Sequence, residues 1–523
     1  MTKPTNVSAE ATELAESVEI ERKLTVPVAF SLDDITEPLS AIGTVQRARA
    51  RSLVAVYYDT DDYRLARAKV TLRRRTGGTD SGWHLKLPSS GLNGDARYEV
   101  TLPLRAGRPG QVPSTLTDAV VAITGGSELK PLATQRTKRI PLVVLDDSGQ
   151  PGVEIVDDSV TIVDGAQAGT EYREFEVEAL ASTALLESTV RVLTKAGAAP
   201  SASASKGVRA LVGNEPLPPL IDPGARPKPK DSAADAVAFH LRTQVAAIIE
   251  QDQRIRRHLP DAVHQYRVAA RRLRSMLQAF APLVEAEWAR SMRSELGWIA
   301  STLSQSRDRE VLEQRLVAAV RSLPGDIDGV GALVAIQKHL DAELDEANAT
   351  IEEAMTSDRY RELMAALHAA ASVAPTTSLA KGKAAKVLPP LVQASWNTLD
   401  KQARRLHREM DGHDDHWHRT RIVAKKARYT VEACVPVFGG PAKKLAKQLE
   451  TVTELLGDHQ DAAIAASLVE QLAAQTRGSR TAFALGVVFA QQREQVASCR
   501  REFVDAWPRV SHDEWRGWLG PAK

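Results

Sequence analysis

The chain predicts an α+β protein in two parts: an antiparallel β-barrel or tunnel over residues 17–212, then an all-α region over residues 231–520 made of two duplicated helical bundles. Three observations carry this expectation. Up to residue 212 the sequence holds short β-branched and aromatic runs, bounded by turn signals, in which charged residues alternate with apolar ones. Residues 213–230 contain Pro216, Pro218, Pro219, Pro223, Pro227 and Pro229, a density that suits a semi-rigid linker and excludes helix or central strand. From Asp231 onward the texture changes to long Ala-, Leu-, Arg- and Glu-rich stretches of helical period.

The first run contains Glu19, Glu21 and Lys23, which a strand sends to one face. The same charged alternation recurs at Lys69, Arg73 and Arg75, at His84 and Lys86, at Arg97 and Glu99, at Arg136 and Lys138, and at Glu174, Glu176 and Glu178. If these strands close into one sheet, the charged parities converge on a single interior, and about eight strands leave room for one small ligand. Basic side chains there neutralise phosphoryl oxygens, and clustered carboxylates suit Mg²⁺ or Mn²⁺. A polyanion with a divalent cation satisfies both sets.

Residues 17–212 resemble the CYTH domain, or triphosphate tunnel metalloenzyme family. The resemblance rests on Glu19-x-Glu21-x-Lys23, Tyr57-Tyr58-Asp59-Thr60, Leu72-Arg73-x-Arg75, Lys86, Glu99, Glu174-x-Glu176-x-Glu178 and Ser205-Lys206. It implies an eight-stranded antiparallel tunnel that hydrolyses tripolyphosphate or thiamine triphosphate, or in a few members cyclises ATP. It further implies that Glu19, Glu21, Glu174, Glu176 and Glu178 hold the metal, with Asp157 or Glu154 supplying an acidic residue from the strand before. Arg73, Arg75, Lys86, Arg97, Arg136 and Lys206 would grip the triphosphate, and Lys23 would act catalytically beside Glu19 and Glu21.

Composition narrows the setting. The 68 basic and 66 acidic residues leave a net charge of +2, and neither part is a strongly basic nucleic-acid module. Only Cys434 and Cys499 occur, which excludes a disulfide framework. Residues 1–16 read as a disordered tail, and no apolar segment is long enough to span a bilayer, so a cytoplasmic protein without a membrane partner is expected.

In the helical region a second break, Ala374 to Pro390, separates repeats of about 231–373 and 391–520. His264, Arg267, Arg271 and Arg274 have the same spacing as His418, Arg421, Lys425 and Arg428, 154 positions on. Leu303 and Asp308 match Leu456 and Asp461 at an offset of 153, so duplication is the simplest account. At about 100° per residue each quartet forms one basic stripe, and no Glu or Asp at i+4 is expected to relieve its repulsion. Such a stripe points to an absent polyanion.

Residues 231–520 resemble the CHAD domain, on His264-Gln265-x-Arg267-Val268-Ala269-x-Arg271-Arg272-Leu273-Arg274, Ser306-Arg307-Asp308-Arg309-Glu310-Val311 and Leu455-Leu456-Gly457-Asp458-His459-Gln460-Asp461. The resemblance implies two related bundles around a basic surface that binds inorganic polyphosphate. The combined expectation is a metal-dependent inorganic triphosphatase carrying a module for long-chain polyphosphate, associated with polyphosphate granules. The alternatives are a non-catalytic polyphosphate-binding adaptor, or a thiamine triphosphatase or adenylate cyclase using the same tunnel. Sparse aromatic residues near the stripes argue against nucleic acid.

Overall fold

The computed structural model describes residues 15–27, 30–88, 96–201, 205–410 and 412–520, with the side chains of 305–308 and 342–345 left out. Most of the expected tail and the Asp308 side chain therefore lie outside the described residues, while Ala15 and Glu16 already belong to the first strand. The chain divides into two compact units, Met1–Leu220 and Ile221–Lys523, and the division falls inside the proline-rich segment. Arg67 ties the start of that segment to the first unit, donating to the carbonyls of Pro219 and Leu220 at 3.0 Å each.

Among the described residues ten strands build the first unit: β1 (Ala15–Thr25), β2 (Thr44–Arg47), β3 (Arg51–Asp59), β4 (Thr71–Thr76), β5 (Gly82–Pro88), β6 (Ala96–Pro103), β7 (Lys130–Leu145), β8 (Pro151–Gly165), β9 (Glu171–Ala179) and β10 (Ala199–Pro200). Eight of them pair antiparallel in the order β1-β6-β5-β4-β3-β7-β8-β9, and β9 returns to β1 to close the barrel. β2 flanks β7, and β10 flanks β1.

The barrel reverses the usual arrangement of apolar and polar faces. Leu24, Leu142, Val144, Val153, Ile155, Phe175 and Val177 point outward into a core completed by Ile35 and Leu39 of helix Leu32–Ser40 and by Leu186 and Leu193 of helix Thr183–Lys195. The hydrophobic drive thus acts on the outside of the barrel, leaving the alternate positions of each strand free to carry charge. Helix Lys206–Val212 packs Ala210 and Leu211 against the inward-facing Ala55, Tyr57 and Ala133. Only glycine fits at 207, because a Cβ there would lie 2.8 Å from Thr71 Cγ2 and 2.9 Å from Tyr57 Cε1.

The second unit is helical. Its first half holds helices Ala233–Ile255, Ala262–Ala279, Ala286–Thr302, Ser304–Arg321, Gly329–Thr356 and Asp358–Ser372; the second holds Ala384–Arg408, Asp414–Phe438, Gly440–Gln475 and Ser479–Val510. Ala286 and Arg321, the outer ends of a helix pair interrupted at Leu303, lie 154 positions before Gly440 and Gln475, the ends of one continuous helix. The element boundaries thus repeat at the offset of the basic stripes. The expected break at 374–390 is shorter than the sequence suggests, since helix Ala384–Arg408 starts before Pro389 and Pro390 and contains both. Its buried Leu388, Val392, Trp396, Leu399, Ala403 and Leu406 recur at helical spacing, and burying that stripe outweighs two lost backbone donors. Among the described residues no helix is long and apolar enough to cross a membrane.

Candidate functional site

Strand register decides which side chains enter the barrel. Glu21 is opposite Glu178 and Lys23 opposite Glu176 across β1 and β9, and Glu154 and Asp158 of β8 stand opposite Glu178 and Glu174. On the other side, Lys86 is opposite Glu99, and Arg73 is opposite both His84 and Tyr57. Two expected residues are not in this interior. Arg136 shares the parity of Leu142 and Val144 and is exposed on the outer face, whereas Arg139 takes the inner position on β7. Asp157 has the parity of Val153 and Ile155 and is held outside by Arg173, at 2.8 Å from Nε and Nη2, whereas Asp158 points inward. Arg97 shares the inner parity of Glu99, but its Nη1 donates to the Lys69 carbonyl at 3.1 Å.

Half of the interior is a closed ion network. Lys23 Nζ lies 3.3 Å from Glu176, 3.8 Å from Glu21 and 3.9 Å from Glu174. Lys206 pairs with Asp158 and also reaches Glu176 at 2.8 Å and Glu174 at 3.6 Å. Arg139 grips Asp158 through two bonds of 2.8 and 2.7 Å. Burial works against the charge on Lys23, but Glu176, Glu21 and Glu174 outweigh it and hold the ammonium above its ordinary range. Lys23 therefore stays protonated and acts as a charge, not a base. Near β5, Lys86 pairs with Glu19 and stands 3.8 Å from Glu99, and His84 bridges Glu99 (Nδ1 to Oε1, 3.0 Å) and the Asp80 carbonyl (2.9 Å from Nε2). Burial and the contact with Glu99 push Glu19 up to about 8, so near neutrality this pair keeps a proton on Glu19.

The remainder is less completely paired, although Arg75 pairs with Asp80 and Arg73 bonds Tyr57. Among the described residues no cation lies within 4.0 Å of Glu154 or Glu178. Burial, and behind it the charges of Glu21 and Glu154, raise the Glu178 pKa. Arg73 Nε and Arg75 Nε are buried without hydrogen-bond partners. Burial and the like charges of Arg73 and Arg139 lower the Arg75 pKa, the mark of crowded cations.

Asp158, fully buried, is the keystone of the paired half. Asp158→Asn leaves Arg139 and Lys206 short of a counter-charge and is expected to cost about 3 kcal/mol. Lys206 and Arg139, acting against burial, depress its folded pKa below 3.8. Its stabilisation is therefore present above that value and lost as pH falls through the folded one. Calorimetry of the full chain should show the barrel transition of the variant lowered at pH 7, with the difference shrinking in acid.

In the helical unit the two stripes line one cleft of about 800 Å³. Its wall includes His264, Arg267, Arg271 and Arg274 from helix Ala262–Ala279, and His418, Arg421 and Lys425 from helix Asp414–Phe438. Arg293, Arg309, Arg315 and Lys426 join them, so that nine Arg and Lys face a single carboxylate, Asp461, among the lining residues. Gln460 accepts from His418 Nδ1 at 2.8 Å and orients that ring. Arg428 is not part of the wall. It bonds Glu432 at 2.7 Å, Glu450 at 2.7 Å and Thr453 at 3.0 Å. Glu432 stands at i+4 from Arg428, the relief the stripe was expected to lack, and this signal was present in the sequence.

A CYTH domain profile matches residues 17–210 and a CHAD domain profile residues 240–470. The uncharacterized proteins MT2285 and Rv2226 of Mycobacterium tuberculosis are each 32% identical to the chain over 527 residues, spanning 94% of it and 96% of their own length. Among solved structures, PptA from Streptomyces chartreusis is 27% identical and covers 53% of the chain and 100% of its own, with a TM-score of 0.47. The CHAD domain from the plant Ricinus communis is 26% identical and covers 55% and 95%, with a TM-score of 0.41. The first match falls on the closed eight-stranded barrel and the second on the helical unit, and the chain belongs to the family that joins a CYTH domain, of triphosphate-tunnel enzyme fold, to a CHAD domain.

Proposed function

We propose that the barrel is a metal-dependent inorganic triphosphatase and that the helical cleft binds long-chain polyphosphate. The observation that carries the enzymatic reading is the coexistence, in one interior and among the described residues, of two carboxylates that no cation contacts, Glu154 and Glu178, with buried guanidinium nitrogens that no acceptor reaches, Arg73 Nε and Arg75 Nε. An adaptor that only bound anions would gain nothing from Glu21, Glu154 and Glu178.

Among the described residues no group of three or more His, Cys, Asp or Glu side chains already converges as a metal site. The chemistry of the donors fits a hard cation nonetheless: Glu21, Glu178 and Glu154 are adjacent carboxylates across β1, β9 and β8, and burial with the charges of Glu21 and Glu154 raises the Glu178 pKa against the opposing charge of Lys86. Glu21, Glu178 and Glu154, with Glu19 beside them, would hold Mg²⁺ or Mn²⁺. Glu174 and Glu176 are already committed to Lys23 and Lys206. A bound ion would neutralise phosphate charge and make coordinated water more acidic. Arg73, Arg75 and Lys86 would hold the phosphoryl oxygens and tighten as charge moves toward the leaving phosphate. Lys23, fixed as a cation, keeps Glu21 and Glu176 in place.

The test is phosphate release from pyrophosphate, tripolyphosphate, long polyphosphate, thiamine triphosphate and ATP, with and without Mg²⁺. Tripolyphosphate should be preferred and the reaction should need the metal. Arg73→Ala should slow it by about 10²-fold. Arg74→Ala, on the outer face of the same strand, should not; equal damage by both would refute the assignment of faces.

The helical reading rests on the density of cations along one cleft. Docking of the enzyme on polyphosphate granules, and a raised local supply of chain, would follow from it.

A further inference from the structure

We propose that Lys425 is a site of acylation by acyl phosphates, the cleft seating the phosphate end of the donor beside the amine. This rests on reading the cleft as a site for phosphate anions. Lys425 lines the cleft one helical turn after Arg421, and Arg267 and Arg271 line it from the facing helix Ala262–Ala279. Among the described residues no carboxylate stands within 4.0 Å of it: Asp461, on helix Gly440–Gln475, is the acid in this wall and lies 4.0 Å from Arg421 instead. Guanidinium groups do not give up their protons in proteins, so crowding among these cations is relieved at the amine.

Burial first, then Arg421 and Arg271, push the Lys425 pKa down to about 7, with Arg267 adding to the effect and Asp461 opposing it. An ordinary lysine, with a pKa near 10.4, is almost wholly protonated at that pH, whereas about half of such amines are neutral and nucleophilic. The same cations that lower the pKa attract a phosphate. An acyl phosphate seated there presents its carbonyl carbon to the Nζ lone pair. The N–C amide bond forms, the bond from carbon to the phosphate oxygen breaks with its electron pair on phosphate, and the amine proton leaves with the released inorganic phosphate. No oxidant or reductant is needed. The product is a neutral amide, which removes one cation from the wall.

The experiment incubates the full chain with acetyl phosphate at pH 7 and quantifies acetylated lysines by peptide mass spectrometry. Lys425 should react about tenfold or more faster than the exposed Lys443 and Lys444. Excess polyphosphate should abolish that excess, and Arg271→Gln should slow the reaction and move its half-rise to higher pH. A neutral acyl donor should show a smaller preference for Lys425 than acetyl phosphate does. Lys425 reacting no faster than Lys443 and Lys444 overturns the proposal. Titration calorimetry of the unmodified chain with polyphosphate tests the cleft itself: binding without selective acylation refutes only the modification, and no binding refutes the reading beneath it.

Discussion

Glu21→Gln and Glu178→Gln should each reduce metal-dependent triphosphate hydrolysis by about 10³-fold, and Glu178→Gln should leave the barrel as stable as before or slightly more so. Glutamine keeps the size of glutamate and removes the charge a divalent cation would bind. Glu178 pairs with no cation within 4.0 Å among the described residues, and burial, with the charges of Glu21 and Glu154, raises its pKa against the more distant Lys86. Deleting the Glu178 charge therefore relieves the fold while disabling the site, whereas deleting that of Glu21 also gives up its 3.8 Å contact with Lys23. The contrast with Asp158→Asn, which should destabilise, separates the two halves of the interior. The checks are phosphate release at matched Mg²⁺ and the melting temperature of the full chain with and without Mg²⁺. The increment that Mg²⁺ adds to melting should disappear in both variants. Near-normal turnover in either would remove that carboxylate from the metal.

Changing Arg267, Arg271, Arg421 and Lys425 together to Glu should lower polyphosphate affinity on the order of 10³-fold and flatten its salt dependence. All four line the cleft, and reversal turns four attractions into repulsions at the centre of both stripes. Arg428→Ala is the internal control: its guanidinium is spent on Glu432, Glu450 and Thr453, so it should affect stability and leave the affinity in place. Isothermal titration across a salt series measures both. An unchanged affinity in a folded quadruple variant would move the function of this unit away from polyanions.

Local periodicity made much of this legible. Glu19, Glu21 and Lys23 stand on one face because a strand has period two, and the repeated quartets share a cleft because a helix turns about 100° per residue. What escaped was the choice between parities on strands where both carry charge. On β7 the sequence offers Arg136 and Lys138 on one face and Arg139 on the other; on β8 it offers Asp157 and Asp158. The deciding information is the apolar parity, Leu142 with Val144 and Val153 with Ile155, once helices Leu32–Ser40 and Thr183–Lys195 cover that face. A charged residue sharing parity with those positions belongs outside. Arg293, Arg309 and Arg315 left no such trace, since they reach the cleft from other helices and only tertiary packing brings them there.

The duplicated stripes face one cleft, not two, and this bears on how such a unit could have arisen. A single repeat supplies one wall and no opposite side. An ancestor with one repeat would have had its anion site only as a homodimer, on the twofold axis, where each arginine of the stripe counts twice. Fusion of the two copies freed them to diverge. In the present chain Arg309 and Arg315 come from the first copy alone, while the positions 153 residues later are Ala462 and Leu468. The cleft is lined by two copies of one stripe without being symmetric, so a linear anion identical from either end would meet a cleft with a distinguishable left and right.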